Sequence, residues 1–275
     1  MVTDLAGQAA RLLGAGLARA VPIAGGDLSE VVAVELDDGR AAVVKGAASP
    51  AIEAAMLGAI RATGAPAPIV LAYDDTVLVL ERLASDGRIE HAWRHLGAVL
   101  ALLHSVDPCG DGPALRYGWD ADYAFGPVAI DNGRTDTWPG FWAEKRLVTH
   151  LTHLPRELGL RIERLAADLD NRLPASPDPA LLHGDLWGGN ILVHDGRVTG
   201  LIDPACYYGD REVDFAMLGL FNRPDRDLFE AYGSLDSGHE ARVPIYQLWP
   251  ALVHLRLFGT AYRPMVERLL SAARV

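Results

Sequence analysis

Three side chains in the stretch L-L-H-G-D-L-W-G-G-N-I-L-V-H-D-G-R-V-T-G-L-I-D, Leu181 to Asp203, are of the types that phosphoryl transfer needs: Asp185, Asn190 and Asp203. Two short apolar strands, Ile191–His194 and Arg197–Ile202, are expected on either side of Asp195-Gly196. Asp-Gly supplies the positive φ angles of a tight hairpin turn. A hairpin folds the chain back on itself, so Asn190 before its first strand and Asp203 after its second should converge. An amide oxygen and a carboxylate held together suit Mg²⁺ bridging phosphates, and a further carboxylate just outside can serve as base beside an acceptor hydroxyl.

The elements that must position these groups can be followed from the N-terminus. Leu5, Ala9, Leu12, Leu13 and Leu17 have helical spacing and predict a helix over residues 4–20, with Thr3 as N-cap. A strand then enters a Gly25-Gly26 turn and leaves as a β-branched strand; two adjacent glycines let backbone N–H groups approach an anion closely. Asp37-Asp38-Gly39 is the next hairpin turn, and A-A-V-V-K-G carries Lys45 on a third strand. Ser49-Pro50 opens a helix to about Ala62, with Glu53 one turn inside it. A strand lysine paired with a helix glutamate is the device by which protein-kinase-like folds grip the α- and β-phosphates of a nucleotide. Ile69–Tyr73 and Thr76–Glu81 complete about five antiparallel strands, and Ala84-Ser85-Asp86-Gly87 is a flexible crossing.

Beyond the crossing the pattern is mostly helical. Helices are expected at Glu90–Val106, from Trp138 to about His153, at Arg161–Leu173, Arg211–Phe221, Asp225–Tyr232, Val243–Phe258 and Tyr262–Ala273. Residues 107–137, rich in Gly, Pro, Asp and aromatics, are expected to be a long irregular segment. The fold class is therefore α+β and bilobal. Residues 1–83 form a β-rich lobe with one inserted helix, and residues 84–275 a helical lobe, with the site loops at their junction.

Composition narrows the partners. A formal charge of −11 over 275 residues argues against nucleic acid, whose backbone calls for clustered Lys and Arg. It also means that an anionic nucleotide must be held by local devices rather than by the field of the whole molecule. Two cysteines, Cys109 and Cys206, fit a reducing compartment. No apolar run reaches the roughly 18–20 residues that span a bilayer, and the N-terminal residues lack the build of a signal peptide. The expectation is a cytoplasmic protein without a membrane partner, monomeric or weakly dimeric.

H-G-D-L-W-G-G-N at 183–190 and D-P-A-C-Y-Y-G-D-R-E-V-D at 203–214 resemble the fructosamine-3-kinase (ketosamine kinase) family. That family lies within the protein-kinase-like small-molecule kinases that include the aminoglycoside phosphotransferases. The resemblance runs from G-G-D-L-S at 25–29 through V-V-K at 43–45 to Asp214, and is weakest at 107–160 and in the last forty residues. It implies an ATP- and Mg²⁺-dependent kinase acting on the sugar 3-hydroxyl of a ketosamine, a repair activity against glycation. It further implies Asp185 as the base, Asn190 and Asp203 as Mg²⁺ ligands, and Lys45 on the α- and β-phosphates with Glu53 holding it. Gly25 and Gly26 would cover the triphosphate, and the backbone near Glu81–Leu83 would meet the adenine edge. His183 would brace the loop, Asp210 would cap the next helix, and Asp214 would accept hydrogen bonds from loop backbone.

Trp187 could pack flat on the sugar, with Trp142 and Arg146 bordering the acceptor pocket. Gly184 stands where many protein kinases carry an arginine that pairs with a phosphorylated loop, so that style of regulation is not expected. Asp27 stands where some eukaryotic relatives have a cysteine, so no thiol switch is expected there. Two alternatives stay open. One is a kinase for another hydroxylated amine, such as an aminoglycoside or choline, given Asp111, Asp120, Asp122, Asp131 and Asp136. The other is a catalytically silent nucleotide-binding scaffold.

Overall fold

The computed structural model describes residues 2–23, 29–105 and 117–275. Helix α1 (Val2–Leu12) precedes strands β1 (Leu17–Pro22), β2 (Val31–Leu36) and β3 (Ala41–Gly46). The helix expected over 4–20 thus stops eight residues short. Gly14 takes the left-handed backbone, φ +68°, that ends helices. Leu17 onward then pairs with β2 from Leu17↔Leu36 to Pro22↔Val32. Helix α2 (Pro50–Ala62) follows, with Pro50 in its first turn and the carbonyl of Ser49, not its side chain, taking the first N–H groups. Strands β4 (Val70–Tyr73) and β5 (Val77–Glu81) close an antiparallel sheet in the order β1-β2-β3-β5-β4. Lys45 therefore sits on the middle strand, paired with Val31 on one side and Leu78 on the other.

The crossing at 84–87 is pinned rather than flexible. Asp86 N–H and Gly87 N–H both donate to Val193 O, at 3.0 and 2.8 Å, and Thr199 Oγ1 donates to Ala84 O at 2.7 Å. Helix α3 (Trp93–Leu103) follows a 3₁₀ turn at Ile89–His91, and buries Trp93, Leu96, Val99, Leu100 and Leu103.

Part of the stretch expected to be irregular is a small hairpin, β6 (Tyr123–Phe125) and β7 (Val128–Ile130), turned at Gly126 with φ +53°. Gly118 ties this segment down through reciprocal backbone bonds with Tyr208, at 3.0 and 2.9 Å. The single helix expected over 138–153 is α4 (Trp138–Phe141), then a π-helical turn (Trp142–Leu147), then a 3₁₀ segment (Val148–His153). Helix α5 (Arg156–Ala166) starts directly after Pro155, five residues earlier than the apolar spacing suggests.

Strands β8 (Ala180–Leu182), β9 (Ile191–His194), β10 (Arg197–Leu201) and β11 (Tyr207–Gly209) then frame the loops of interest, β9 pairing with β10 and β8 with β11. Helices α6 (Glu212–Phe221), α7 (Arg226–Tyr232), α8 (His239–Phe258) and α9 (Arg263–Ala272) complete the chain. One core cluster joins Met56, Leu57 and Ile60 of α2 to Leu96, Leu181, Leu186 and Ile191, so the β-rich and helical parts share buried apolar surface. Among the described residues no helix is long and apolar enough to cross a membrane.

Candidate active site

Asp195 and Gly196 both have positive φ, 49° and 69°, as a two-residue hairpin turn requires. The hairpin they make pairs Leu201 with Ile191, and Ile202 N–H donates to Asn190 O at 3.0 Å. Asn190 and Asp203, thirteen positions apart, are thereby brought to the same end of the hairpin. Asn190 Nδ2 donates to Asp185 O at 2.8 Å and to Asp185 Oδ2 at 3.0 Å. With the amide nitrogen so committed, Oδ1 is the atom that a cation can use.

The loop carrying Asp185 rests on a buried carboxylate. Asp214 accepts from His183 N–H at 2.8 Å and Gly184 N–H at 3.0 Å, and lies 3.1 Å from His104 Nε2. Burial alone would raise its pKa, but the bond from His104 and these backbone bonds hold it below the ordinary carboxylate value. His183 has no exposed surface, and its Nε2 sits 3.0 Å from Ile202 O while Nδ1 accepts from Asp185 N–H at 3.3 Å. Nε2 therefore carries the proton, and burial depresses the pKa so that the ring stays neutral. Gly184 has φ +79°, and a Cβ there would collide with Ala205 O, so no arginine fits this position. Asp210 sits one position before the N-cap, Arg211, rather than at it, and its side chain accepts from Glu212 N–H at 3.0 Å and from Tyr246 Oη at 2.7 Å. Cys206 is buried, its N–H directed at Met56 Sδ.

Lys45 bridges the two halves of the site. Its Nζ lies 2.9 and 3.1 Å from the oxygens of Glu53 and 2.7 Å from Asp203 Oδ1. Burial disfavours its charge, yet the two carboxylates outweigh that and raise its pKa. Asp203 itself has φ +53°, a left-handed backbone uncommon outside glycine. Asp185 lies half-buried on the floor, and burial pushes its pKa up to about 7. The bond from Asn190 opposes that shift, while the charges of Asp203 and Asp214 add to it. Tyr123, which sequence reasoning missed, donates its hydroxyl to Glu53 Oε2 at 3.2 Å and so joins the β6–β7 hairpin to the ion pair.

These groups line one cleft of about 620 Å³. Val31, Lys45 and Ala47–Ser49 form its upper lip, and Gly184, Asp185, Asn190 and Asp203 its floor. The outer wall is aromatic: Trp187, Phe221 of α6, and Trp249, His254 and Phe258 of α8, with Tyr262 beyond. Trp187 was expected to face the acceptor; the part of this wall built by α6 and α8 was not foreseen, because α8 carries no motif. A more open hollow of about 510 Å³ at Ala48–Ile52 and Tyr73–Asp75 contains none of the candidate groups. Glu81 and Leu83 are not on the lining of the main cleft; Glu81 exchanges bonds with Ile69 at the strand end. Gly25 and Gly26 lie outside the described residues.

Two expectations are corrected. Trp142 and Arg146 have no exposed surface and do not border the cleft. The π-helical turn that carries them directs both into the core. There Trp142 packs on Tyr246 (centroids 5.0 Å apart), and the Arg146 guanidinium lies 4.1 Å from the Tyr207 ring and 4.8 Å from Trp249. Arg146 donates to Asp131 O and Asn132 Oδ1 at 2.7 and 2.8 Å. Three acids of the same region are spent elsewhere, Asp120 on Arg134, Asp122 on Asn132 N–H and Asp131 on Lys145, and Asp136 is exposed away from the cleft lining. Asp111 lies outside the described residues. Among the described residues, the acids that line the cleft are Glu53, Asp185 and Asp203.

The family model for fructosamine kinase matches residues 4–273. A "probable ketoamine kinase" from Staphylococcus aureus is 33% identical over 271 residues, covering 89% of this chain and 89% of its own length. One from Synechocystis is 35% identical, covering 70% of this chain and 66% of its own length. The solved structure of a candidate fructosamine-3-kinase from Thermobifida fusca superposes with a TM-score of 0.87 at 32% identity, over 99% of both chains. A thermostable mutant of an aminoglycoside phosphotransferase, in ternary complex with ADP and hygromycin B, has a TM-score of 0.69 at 16% identity over 98% of both chains, a likeness of fold alone. The bilobal kinase-like architecture and the match along nearly the whole sequence agree: the chain belongs to the fructosamine kinase family.

Proposed function

We propose that this chain transfers the γ-phosphoryl group of ATP, with Mg²⁺, to the sugar 3-hydroxyl of a ketosamine of the fructosamine or ribulosamine type, a deglycation repair activity. The observation that carries the reading is the gathering of Lys45, Asp185, Asn190 and Asp203 at one end of a single cleft, in a chain of this family. Residues 1–83 serve as the nucleotide-binding lobe and 84–275 as the catalytic and acceptor lobe.

The roles of Lys45, Asp185, Asn190 and Asp203 are supported by the geometry of the cleft, and those of the glycine turn and the crossing by the family resemblance. The donor set of Asn190 Oδ1 and the Asp203 carboxylate is all oxygen, which suits a hard divalent cation. Mg²⁺, when bound there, neutralises charge on the phosphate oxygens. Lys45, held by Glu53, exchanges its bond to Asp203 for the α- and β-phosphates. By the family resemblance Gly25 and Gly26 would cover the triphosphate and the backbone near Glu81–Leu83 would meet the adenine edge, with Leu83 N–H and C=O engaging no partner among the described residues. Asp185 orients the acceptor hydroxyl and takes its proton. Because phosphoryl transfer is loose, this positioning counts as much as basicity. Trp187 offers its indole face to the sugar.

The scarcity of acid on the outer wall disfavours a polycationic aminoglycoside as acceptor, since such ligands need several carboxylates. Retention of Lys45, Asp185, Asn190 and Asp203 disfavours a silent scaffold. The experiment is Mg·ATP turnover with and without 1-amino-1-deoxyfructose adducts, with phosphorus NMR of the product. A 3-phosphate and at least tenfold stimulation by the adduct support the reading; equal ATP loss with and without any ketosamine overturns it.

A further inference from the structure

The cleft is polarised in a way that the kinase reading alone does not explain. Its charged lining groups, Lys45, Glu53, Asp185 and Asp203, are joined to one another through Lys45 or face the same floor. The opposite wall has a ladder of rings. Trp187 and Phe221 have centroids 6.3 Å apart, Phe221 and His254 4.9 Å, His254 and Tyr262 5.0 Å, and Phe258 and Tyr262 5.8 Å. Three of these rings keep a large part of their surface bare: Trp187 at 37%, Phe221 at 36% and Phe258 at 42%. Bare apolar surface gathered at the mouth of a cleft marks a contact with something apolar.

In a ketosamine the nitrogen is three bonds from the carbon that bears the 3-hydroxyl. With that hydroxyl at Asp185, the sugar occupies the space over the floor, and the amine substituent projects toward the rings. A secondary ammonium beside aromatic faces gains cation–π attraction. The group beyond it gains only if it covers ring surface. Resting on the ketosamine kinase reading, we infer that the acceptor is a small ketosamine whose amine carries one aromatic or apolar group, and that Phe221, Phe258 and Tyr262 select it. A lysine side chain on a folded protein is disfavoured, because its neighbouring polar surface would be pressed on these bare rings.

The test uses the protein with Mg·ATP and both the fructose and the ribulose adducts of three amines: methylamine, phenethylamine, and lysine Nε within a glycated folded protein. The phenethylamine adduct is expected to have about 30-fold higher kcat/KM than the methylamine adduct, carried mainly by KM, the factor expected for covering one ring face. Phe258→Ala and the milder Phe258→Leu should shrink that ratio, the first by about tenfold. Equal kcat/KM for the two small adducts, or a preference for the glycated protein, overturns the inference while leaving the kinase reading intact. Absence of turnover on every adduct overturns both.

Discussion

The two ends of the cleft are held together by different physics. At the inner end, charged atoms are fixed by hydrogen bonds between 2.7 and 3.1 Å, one of which links residues 158 positions apart. At the outer wall, Trp187 and rings from α6, α8 and the turn after α8 keep their places by packing, with centroid separations of 4.9–6.3 Å. A short directional bond fails when one atom is removed, whereas a packed ring tolerates substitution by degrees. Chemistry should therefore be brittle and acceptor choice graded.

The sharpest attempt to break this contrast is Asp185→Asn. Turnover should fall by about 10²–10⁴, the usual worth of a positioned base, while Mg·ATP affinity stays within about threefold. A variant with near-normal kcat would remove Asp185 from the chemistry. Next in size is Asp203→Ala, which deletes both a proposed cation ligand and the second partner of Lys45. Nucleotide affinity measured with Mg²⁺ should drop at least tenfold, while affinity in EDTA changes little or improves. Equal losses in both titrations would argue against metal contact.

Asp214→Asn tests the support beneath the inner end. Its carboxylate takes two backbone N–H groups and meets His104, so urea denaturation should show a loss of about 2–3 kcal/mol. The folded pKa of Asp214 is depressed. Its contribution is therefore complete above the unfolded carboxylate value of about 3.9 and is lost as pH falls through the folded value. The gap between wild type and mutant should narrow as pH is lowered from 6 toward 3; a constant gap would refute that assignment.

The smallest effect is expected from Tyr123→Phe, which removes one hydroxyl from Glu53 at the place where the two ends meet. KM for ATP should rise about three- to tenfold, the ordinary net worth of one hydrogen bond, with little change in thermal stability. An unchanged KM for ATP would separate the β6–β7 hairpin from the nucleotide site.

The same contrast explains what could be read from the amino acids. The inner end was legible because each residue sits in a short pattern whose geometry is local. Asp195-Gly196 dictates a turn, and the turn dictates that Asn190 meets the segment entering Asp203. Lys45 and Glu53 were legible as strand and helix positions. Trp187 apart, the outer wall was not, because α8 buries Ile245 through Val253 continuously, so periodicity does not tell which face is lined up with a cleft. Trp142 and Arg146 were misplaced for a related reason: a π-helical turn shifts the phase of a helix, and side-chain type does not reveal it. The β6–β7 hairpin escaped notice because three-residue strands are too short for alternation to register. The end of α1 was missed because the apolar spacing runs on past Gly14 and Gly16.

The pinned crossing has a mechanical consequence. Residues 84–87 are bound to Val193 and Thr199, and these belong to the two strands that deliver Asn190 and Asp203. Any tilt of the β-rich lobe is thus passed straight to the hairpin, as the cover of a book turns the pages sewn to its spine. On the proposed kinase reading, closing over a nucleotide and setting the oxygens for the metal would be one movement, with no slack joint between them.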